Sequence, residues 1–82
     1  MSRVRLLLFA RAREIAGRPR DDFDAASLAQ LLDAARARYG ADFGDVLEHA
    51  RIWINGDEPP SGLLTDLADG DEVAVLPPVS GG

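Results

Sequence analysis

The sequence predicts an α+β domain in which one main helix packs across one face of a mixed sheet of five strands. Apolar side chains alternate with other residues over residues 3–9 and again over residues 72–76, which is typical of strands. Between these segments, residues 28–39 repeat apolar side chains at helical spacing. A chain of 82 residues has room for one hydrophobic core, so these elements belong to a single domain.

The N-terminal part predicts two strands separated by a short helical segment. Residues 3–9 form the first strand, because every second side chain is apolar and can face the core. Residues 10–16 predict one helical turn, which ends at Gly17. Residues 22–24 predict a brief second strand that pairs back on the first.

The main helix begins after Ser27 and ends before Gly40. Ser27 followed by Gln30 is typical of a capping box, in which both side chains bind free backbone N–H groups. The buried stripe of this helix is predicted to consist of Leu28, Leu31, Leu32, Ala35 and Tyr39. Residues 41–50 are predicted to be a connector that contains a short turn of helix.

The C-terminal part predicts three further strands. Residues 51–55 form one, and the Asn55-Gly56 pair predicts a two-residue turn, because both residues tolerate a positive φ. Residues 57–60 then form a short return strand, and residues 72–76 form the last strand, beside the first at the centre of the sheet. One helix across a mixed sheet in this order is the β-grasp arrangement.

The composition excludes most kinds of active site. With no Cys and a single His, the chain is expected to hold no metal and no catalytic triad. A net charge of −5 opposes binding to nucleic acid, and no apolar run approaches the ~20 residues of a membrane span. All nine cationic residues are Arg, so the chain has no side-chain amine. We expect a cytoplasmic protein with no bound cofactor.

The C-terminus is where chemistry is predicted. Residues 1–78 form the β-grasp domain, and residues 79–82 form a flexible tail after two prolines that end strand pairing. Such a tail extends at most ~13 Å, and its glycines can enter a narrow channel. ATP can convert the carboxylate of Gly82 into an acyl-adenylate. A sulfur donor can then replace the adenylate and leave a thiocarboxylate.

The sheet face that points away from the main helix predicts a docking surface. The alternation that turns the core residues inward turns Phe9, Leu76 and Trp53 outward, beside Arg5. An exposed apolar patch next to the tail is typical of a protein interface. The alternative is that residues 59–67 cover this face.

Most of the chain resembles the small subunits of molybdopterin synthase, a family of ubiquitin-like sulfur carriers. The resemblance rests on LFARAREIAG at residues 8–17, on Asn55-Gly56, and on DGDEVAVLPPVSGG at residues 69–82. The last stretch is the most specific, because other β-grasp sulfur carriers share the double glycine but generally not the Pro-Pro-Val-Ser that precedes it.

The resemblance implies a mechanism. An E1-like enzyme uses ATP to adenylate Gly82, and a persulfide-bearing donor converts the adenylate to a thiocarboxylate. The tail residues Val79, Ser80 and Gly81 carry this group into the large subunit of the synthase, in an expected heterotetramer. There the thiocarboxylate donates its sulfur to cyclic pyranopterin monophosphate. The catalytic side chains belong to the large subunit, so this chain is a non-catalytic, sulfur-donating subunit.

Partner contacts implied by the resemblance fall on Phe9, Arg13 and Leu76. At the last of these positions the family often carries an aromatic residue. Two other functions remain open. A sulfur carrier for thiamin or cysteine synthesis would have the same tail chemistry and a different acceptor. A β-grasp interaction module or ubiquitin-like protein modifier would have no role in sulfur transfer.

Overall fold

The computed structural model describes residues 1–78, and the predicted tail, residues 79–82, lies outside them. The described part contains four strands, three α-helices and one short 3₁₀ turn at Gly62–Leu64. In chain order the strands and helices are β1 Ser2–Leu8, α1 Ala10–Ala16, β2 Arg20–Ala25, α2 Leu28–Tyr39, α3 Ala41–His49, β3 Arg51–Ile54 and β4 Glu72–Leu76.

The four strands form one mixed sheet in the order β2-β1-β4-β3. The central strands β1 and β4 are parallel, with Leu6 beside Val73 and Leu8 beside Val75. The edge strands β2 and β3 pair antiparallel with them. The predictions that the first and last strands lie together at the centre, and that the second strand returns along the first, are confirmed.

The prediction of a fifth strand over residues 57–60 is wrong, since residues 1–78 contain four strands. The predicted turn itself forms, with φ of 52° at Asn55 and 86° at Gly56. It closes a single bridge between Ile54 and Asp57, after which the chain leaves the sheet. The reason lies in the following residues, because Pro59 and Pro60 have no N–H with which to extend a ladder.

The prediction of a single main helix is also too simple, because residues 41–49 form the helix α3 rather than a connector. Gly40 has φ 96° and ψ −174°, a conformation that essentially only glycine adopts, and it allows α3 to begin directly after α2. Phe43 and Leu47 of α3 are buried in the core. The packing of these two side chains, rather than local propensity, stabilises this short helix.

The core lies between the helices and the inner face of the sheet. Along α2 the predicted stripe is buried except for Tyr39, which is partly buried. The predicted cap is present, because Ser27 Oγ accepts from the Gln30 N–H at 3.3 Å. Gln30 Oε1 in turn accepts from the N–H of Ala26, one residue before the cap, at 2.9 Å. The main helix therefore begins where the capping box predicts.

A cluster of polar contacts fastens α2 to the edge strand β2. The Tyr39 hydroxyl and the Arg38 guanidinium, the latter at 2.9 Å, both donate to Asp21 Oδ2. Partial burial alone raises the pKa of Asp21, but the hydrogen bonds outweigh it and lower the pKa from 3.8 to about 2. Burial and the same hydrogen bond raise the pKa of Tyr39 to about 12. The Asp21 side chain is only 12% exposed, so this cluster contributes to stability.

Replacing Asp21 by Asn is expected to destabilise the domain at neutral pH but not in strong acid. The carboxylate stabilises the fold above about pH 3.9, where Asp ionises in unfolded chains, and this contribution disappears as the pH falls through about 2. We expect urea unfolding to show a loss of about 1–2 kcal/mol at neutral pH that shrinks toward pH 2.

The control is Asp33→Asn, which removes an exposed ion pair with Arg36 and is expected to cost less than about 1 kcal/mol. If Asp21→Asn lost the same free energy of unfolding in acid as at neutral pH, the ionised carboxylate would not be the source of the stability.

Candidate functional site

The outward face of the sheet is divided into a charged half and an apolar half. The charged half lies where β1 and β4 begin. There Arg3 and Arg5 lie 3.6 to 4.0 Å from the carboxylates of Asp22, Asp24 and Glu72 on the neighbouring strands. These pairs are exposed and contribute little stability each. Two guanidinium groups and three carboxylates make this half of the face polar.

The apolar half lies toward the C-terminal ends of the same two strands. Leu7, Ala74 and Trp53 form one row across β1, β4 and β3, according to the strand register. Phe9 and Leu76 lie beyond that row. These five side chains, which we call the apolar face, line one shallow groove with Asn55, Gly56 and Glu72 at its far end. Phe9 is the most accessible large side chain of the set, at 45% exposed.

The outward orientation predicted for Phe9, Trp53 and Leu76 is therefore observed. The alternative, that residues 59–67 cover this face, does not hold for its centre. Pro59 and Leu63 of that loop line a separate groove at the β3 edge, which includes Trp53 but neither Phe9 nor Leu76. Whether the face contacts a partner stays a prediction.

Arg13 is exposed on α1 and is not part of the apolar groove. It is nevertheless tied to Phe9, because the Phe9 carbonyl accepts from the N–H groups of Ala12 and Arg13 at 3.1 and 3.4 Å. Phe9 is the N-terminal cap residue of α1, and its side chain makes no capping hydrogen bond. The four predicted contact residues thus consist of three on the apolar face and one a helical turn away.

The base of the tail lies beside a second groove that sequence reasoning missed. Pro77 and Pro78 follow β4 and line this groove, which we call the tail-base groove. Its other side chains come from α1 and α3, namely Ala10, Arg11, Glu14, Ile15, Asp42, Asp45, Val46 and His49. The groove exists because α3 is a helix. The signal that could have found it is the spacing of Phe43, Val46 and Leu47.

The described residues contain little conventional catalytic chemistry. Within residues 1–78 no three side chains of His, Cys, Asp or Glu form a group that could hold a metal ion. Asp69 accepts a hydrogen bond from the N–H of Arg3 at the start of β1, and Asp71 accepts one from the N–H of Ala68 within the turn, so both carboxylates bind the backbone. No helix in this part of the chain is long and apolar enough to cross a membrane. The predicted site residues Val79, Ser80, Gly81 and Gly82 lie outside the described residues.

Known proteins are similar in sequence to this chain over nearly its whole length. The ThiS family model matches residues 6–82. Small archaeal modifier protein 3 of Haloferax volcanii is 35% identical over 91 residues, which cover 96% of this chain and 98% of that protein. The molybdopterin synthase sulfur carrier subunit of Drosophila erecta is 34% identical over 88 residues, which cover 96% of this chain and 90% of that protein.

Solved structures share the fold. The small archaeal modifier protein 1 from Methanosarcina acetivorans has a TM-score of 0.88 at 33% identity, with 100% of this chain and 98% of that chain covered. A chain in the complex of subunits 1 and 2 of molybdopterin-converting factor from Helicobacter pylori has a TM-score of 0.72 at 26% identity, with 98% and 99% covered. The predicted ubiquitin-like β-grasp fold is therefore confirmed, with four strands instead of five in residues 1–78.

Proposed function

The chain belongs to the ThiS family, and we propose that it is the sulfur carrier subunit of molybdopterin synthase. As a sulfur carrier of this type it brings no active site of its own. It presents a C-terminal carboxyl group at Gly82 that other enzymes load with sulfur and unload. The curated relative from Drosophila erecta, which carries the name of this subunit, supports the assignment to molybdopterin.

A single observation carries this proposal. The strand β4 contributes Ala74 and Leu76 to the apolar face and then continues through Pro77 and Pro78 toward Gly82. A protein that covers the apolar face therefore lies next to the point where the tail begins. Docking and delivery of the carboxyl group are coupled through one strand, as a carrier requires.

The chemistry proceeds in two steps on Gly82. A carboxylate oxygen attacks the α-phosphorus of ATP in an E1-like enzyme, pyrophosphate leaves, and an acyl-adenylate forms. The terminal sulfur of a persulfide-bearing donor then attacks the carbonyl carbon and AMP leaves, which gives an acyl disulfide between the carrier and the donor. A thiol next attacks the donor's sulfur and breaks the S–S bond, so that the donor ends as a disulfide with this thiol and the carrier leaves as a thiocarboxylate. ATP is consumed by the activating enzyme and is not a cofactor of this chain. The glycines place no side chain in the way of the attacking atom.

The acceptor in this proposal is the large subunit of the synthase. The complex of two subunits from Helicobacter pylori supports such a pairing for a chain of this fold. Residues Val79, Ser80 and Gly81 enter that subunit, where its own side chains catalyse sulfur transfer to cyclic pyranopterin monophosphate. We place the assembly in the cytoplasm, as a heterotetramer of two small and two large subunits.

Mass spectrometry of the intact chain tests this function. After incubation with an E1-like adenylating enzyme, ATP and a persulfide donor, the mass is expected to rise by the difference between one sulfur and one oxygen. The loaded chain, mixed with the large subunit and cyclic pyranopterin monophosphate, is expected to return to its original mass. An unchanged mass after the first incubation would remove the carrier function. If the chain gained sulfur in the first incubation but did not lose it in the second, the result would indicate a carrier for thiamin or cysteine synthesis.

Protein modification is the second candidate, because the relatives from Haloferax volcanii and Methanosarcina acetivorans are named modifier proteins. In that case the adenylated Gly82 would pass to amines of other proteins. The same incubation, carried out with a lysate in place of the sulfur donor, distinguishes the two functions. Covalent adducts that carry Gly82 on lysine side chains would favour the modifier. Their absence, together with thiocarboxylate formation in the separate incubation with the persulfide donor, would favour the carrier.

A further inference from the structure

The nine arginines of the chain fall into two groups. One group lies within 4.0 Å of a carboxylate and consists of Arg3, Arg5, Arg18, Arg36 and Arg38. In the other group no carboxylate of residues 1–78 lies that close, and its members are Arg11, Arg13, Arg20 and Arg51. The second group is of interest because an arginine without an internal ion pair can bind a carboxylate of another protein.

Two members of the second group border the apolar face. Arg20 of β2 is the register partner of Leu7, and Arg51 of β3 is the register partner of Leu76. Residues directly opposite each other on neighbouring strands point to the same side of a sheet. Both arginines are exposed, so their guanidinium groups flank the apolar face from the two edge strands.

The carboxylates near these two arginines are bound elsewhere or too far away. Asp21 and Asp22, which follow Arg20 in β2, already contact other arginines at 2.9 and 3.6 Å. At the β3 edge, Glu58 lines the same groove as Arg51 but lies beyond ion-pair distance. The positive charge beside the apolar face is therefore not neutralised by an ion pair within residues 1–78.

The other two members of the second group differ from this pair. Arg11 lies in the tail-base groove, where the carboxylates of Glu14, Asp42 and Asp45 offset its charge. Arg13 is exposed on α1 and does not line the apolar groove. Only the arginines of β2 and β3 lie within the sheet itself, on opposite sides of the apolar face.

The outward face of the sheet consequently carries opposite charges on its two halves. The charged half contains two guanidinium groups and three carboxylates, one of them Glu72 at the far end of the apolar groove, for a formal charge of −1. The apolar half is bordered by two guanidinium groups, for a formal charge of +2. A surface of this kind is complementary to an apolar patch that is itself bordered by carboxylates.

We propose that Arg20 and Arg51 bind two carboxylates of the large subunit, which border the apolar patch with which that subunit covers the apolar face. The inference rests on the proposed function, in which the large subunit is the partner. Three strand spacings of ~4.8 Å and an offset of two residues place the two arginine Cα atoms roughly 15 Å apart. Two contacts so far apart fix the direction in which the large subunit lies across the sheet.

Association kinetics with the purified large subunit test the proposal, because charges at the border of an interface act mainly on the association rate. The full-length chains compared are wild type, Arg20→Gln, Arg51→Gln and the double variant. The matched control is Arg36→Gln, which removes the same charge from an arginine that is 44% exposed on α2, on the other side of the sheet.

At low ionic strength we expect each single variant to associate at least about twofold more slowly than wild type, and the double variant at least about fivefold more slowly. The dissociation rates are expected to change less. In about 1 M salt, where the Debye length is ~3 Å, the differences are expected to disappear. A double variant with lysine at both positions keeps the charge and is expected to associate nearly as fast as wild type.

Thermal melts show that all variants remain folded. If the double Gln variant associated as fast as wild type, with the same salt dependence, the proposal would be overturned. Equal slowing by Arg36→Gln would also overturn it, because loss of any positive charge would then be sufficient. So would a lysine pair as slow as the glutamine pair, because charge would then not be the cause. A wild-type chain that did not bind the large subunit would instead reject the proposed function itself.

Discussion

Deletion of Gly82 is expected to abolish sulfur loading while the domain remains folded. The shortened chain still ends in a glycine carboxylate, so its acidity is unchanged, but the reactive group lies up to ~3.5 Å further back. A misplacement of about 1 Å at a reacting centre can cost roughly 100-fold in rate, so a loss of at least that size is expected. Intact-mass measurement of thiocarboxylate formation gives the rate, and a thermal melt reports the fold.

The control for this deletion is Ser80→Gly, which keeps the length of the tail and is expected to retain most of the loading. Two results would contradict the expectation. Normal loading of the deleted chain would show that another group carries the sulfur. Loss of a cooperative melt would show that Gly82 is part of the folded structure rather than a group delivered to a partner.

The second large effect is expected for Phe9→Asp, which should weaken binding to the large subunit. Phe9 is the most exposed large side chain of the apolar face, and aromatic anchors dominate interface energies. Removing one and placing a charge there is expected to cost about 2 kcal/mol or more, which is at least about 30-fold in Kd. Isothermal titration with the purified large subunit measures this change.

The substitution is well suited to the test because it is not expected to destabilise the fold. Phe9 is the cap residue of α1 without a side-chain cap, and Asp is among the preferred residues at that position. The matched control is Leu64→Asp, which places the same charge on an 81% exposed leucine in the 3₁₀ turn. If Phe9→Asp bound the large subunit as tightly as wild type, the apolar face would not be part of the interface. If Leu64→Asp weakened binding as much as Phe9→Asp, the loss would be a nonspecific effect of the added charge.

Several parts of the fold follow from local sequence and were predictable. The Ser27 and Gln30 side chains define the start of α2, because their capping hydrogen bonds are made within five residues. The outward orientation of Phe9 and Leu76 follows from the period of two in any strand. The turn at Asn55 and Gly56 follows from their tolerance of positive φ.

Other parts were predicted wrongly, either because they depend on contacts between distant segments or because one local signal outweighs another. Helix α3 contains Gly44, and it is stabilised mainly by the burial of Phe43 against the rest of the core. A return strand after the turn would need backbone N–H groups to pair with β3. Pro59 and Pro60 lack these groups, and their absence outweighs the hairpin signal of Asn55-Gly56. The tail-base groove was missed because residues 41–50 were predicted to be a connector, although the spacing of Phe43, Val46 and Leu47 indicates the helix that lines it; only the packing of α1 beside α3 has no local signal. The roles of residues 79–82 remain predictions.

The parallel pairing of β1 and β4 has a consequence for how the domain is made. Arg5 lies beside Glu72, so the two middle strands join residues almost at opposite ends of the chain. Closing a loop of this length costs about 4 kcal/mol of chain entropy before any pairing energy is recovered. Folding is therefore expected to be slow for so small a domain. On the ribosome, the sheet cannot be completed until β4 has emerged, so the first three strands are held without their central partner while the preceding segments are being made.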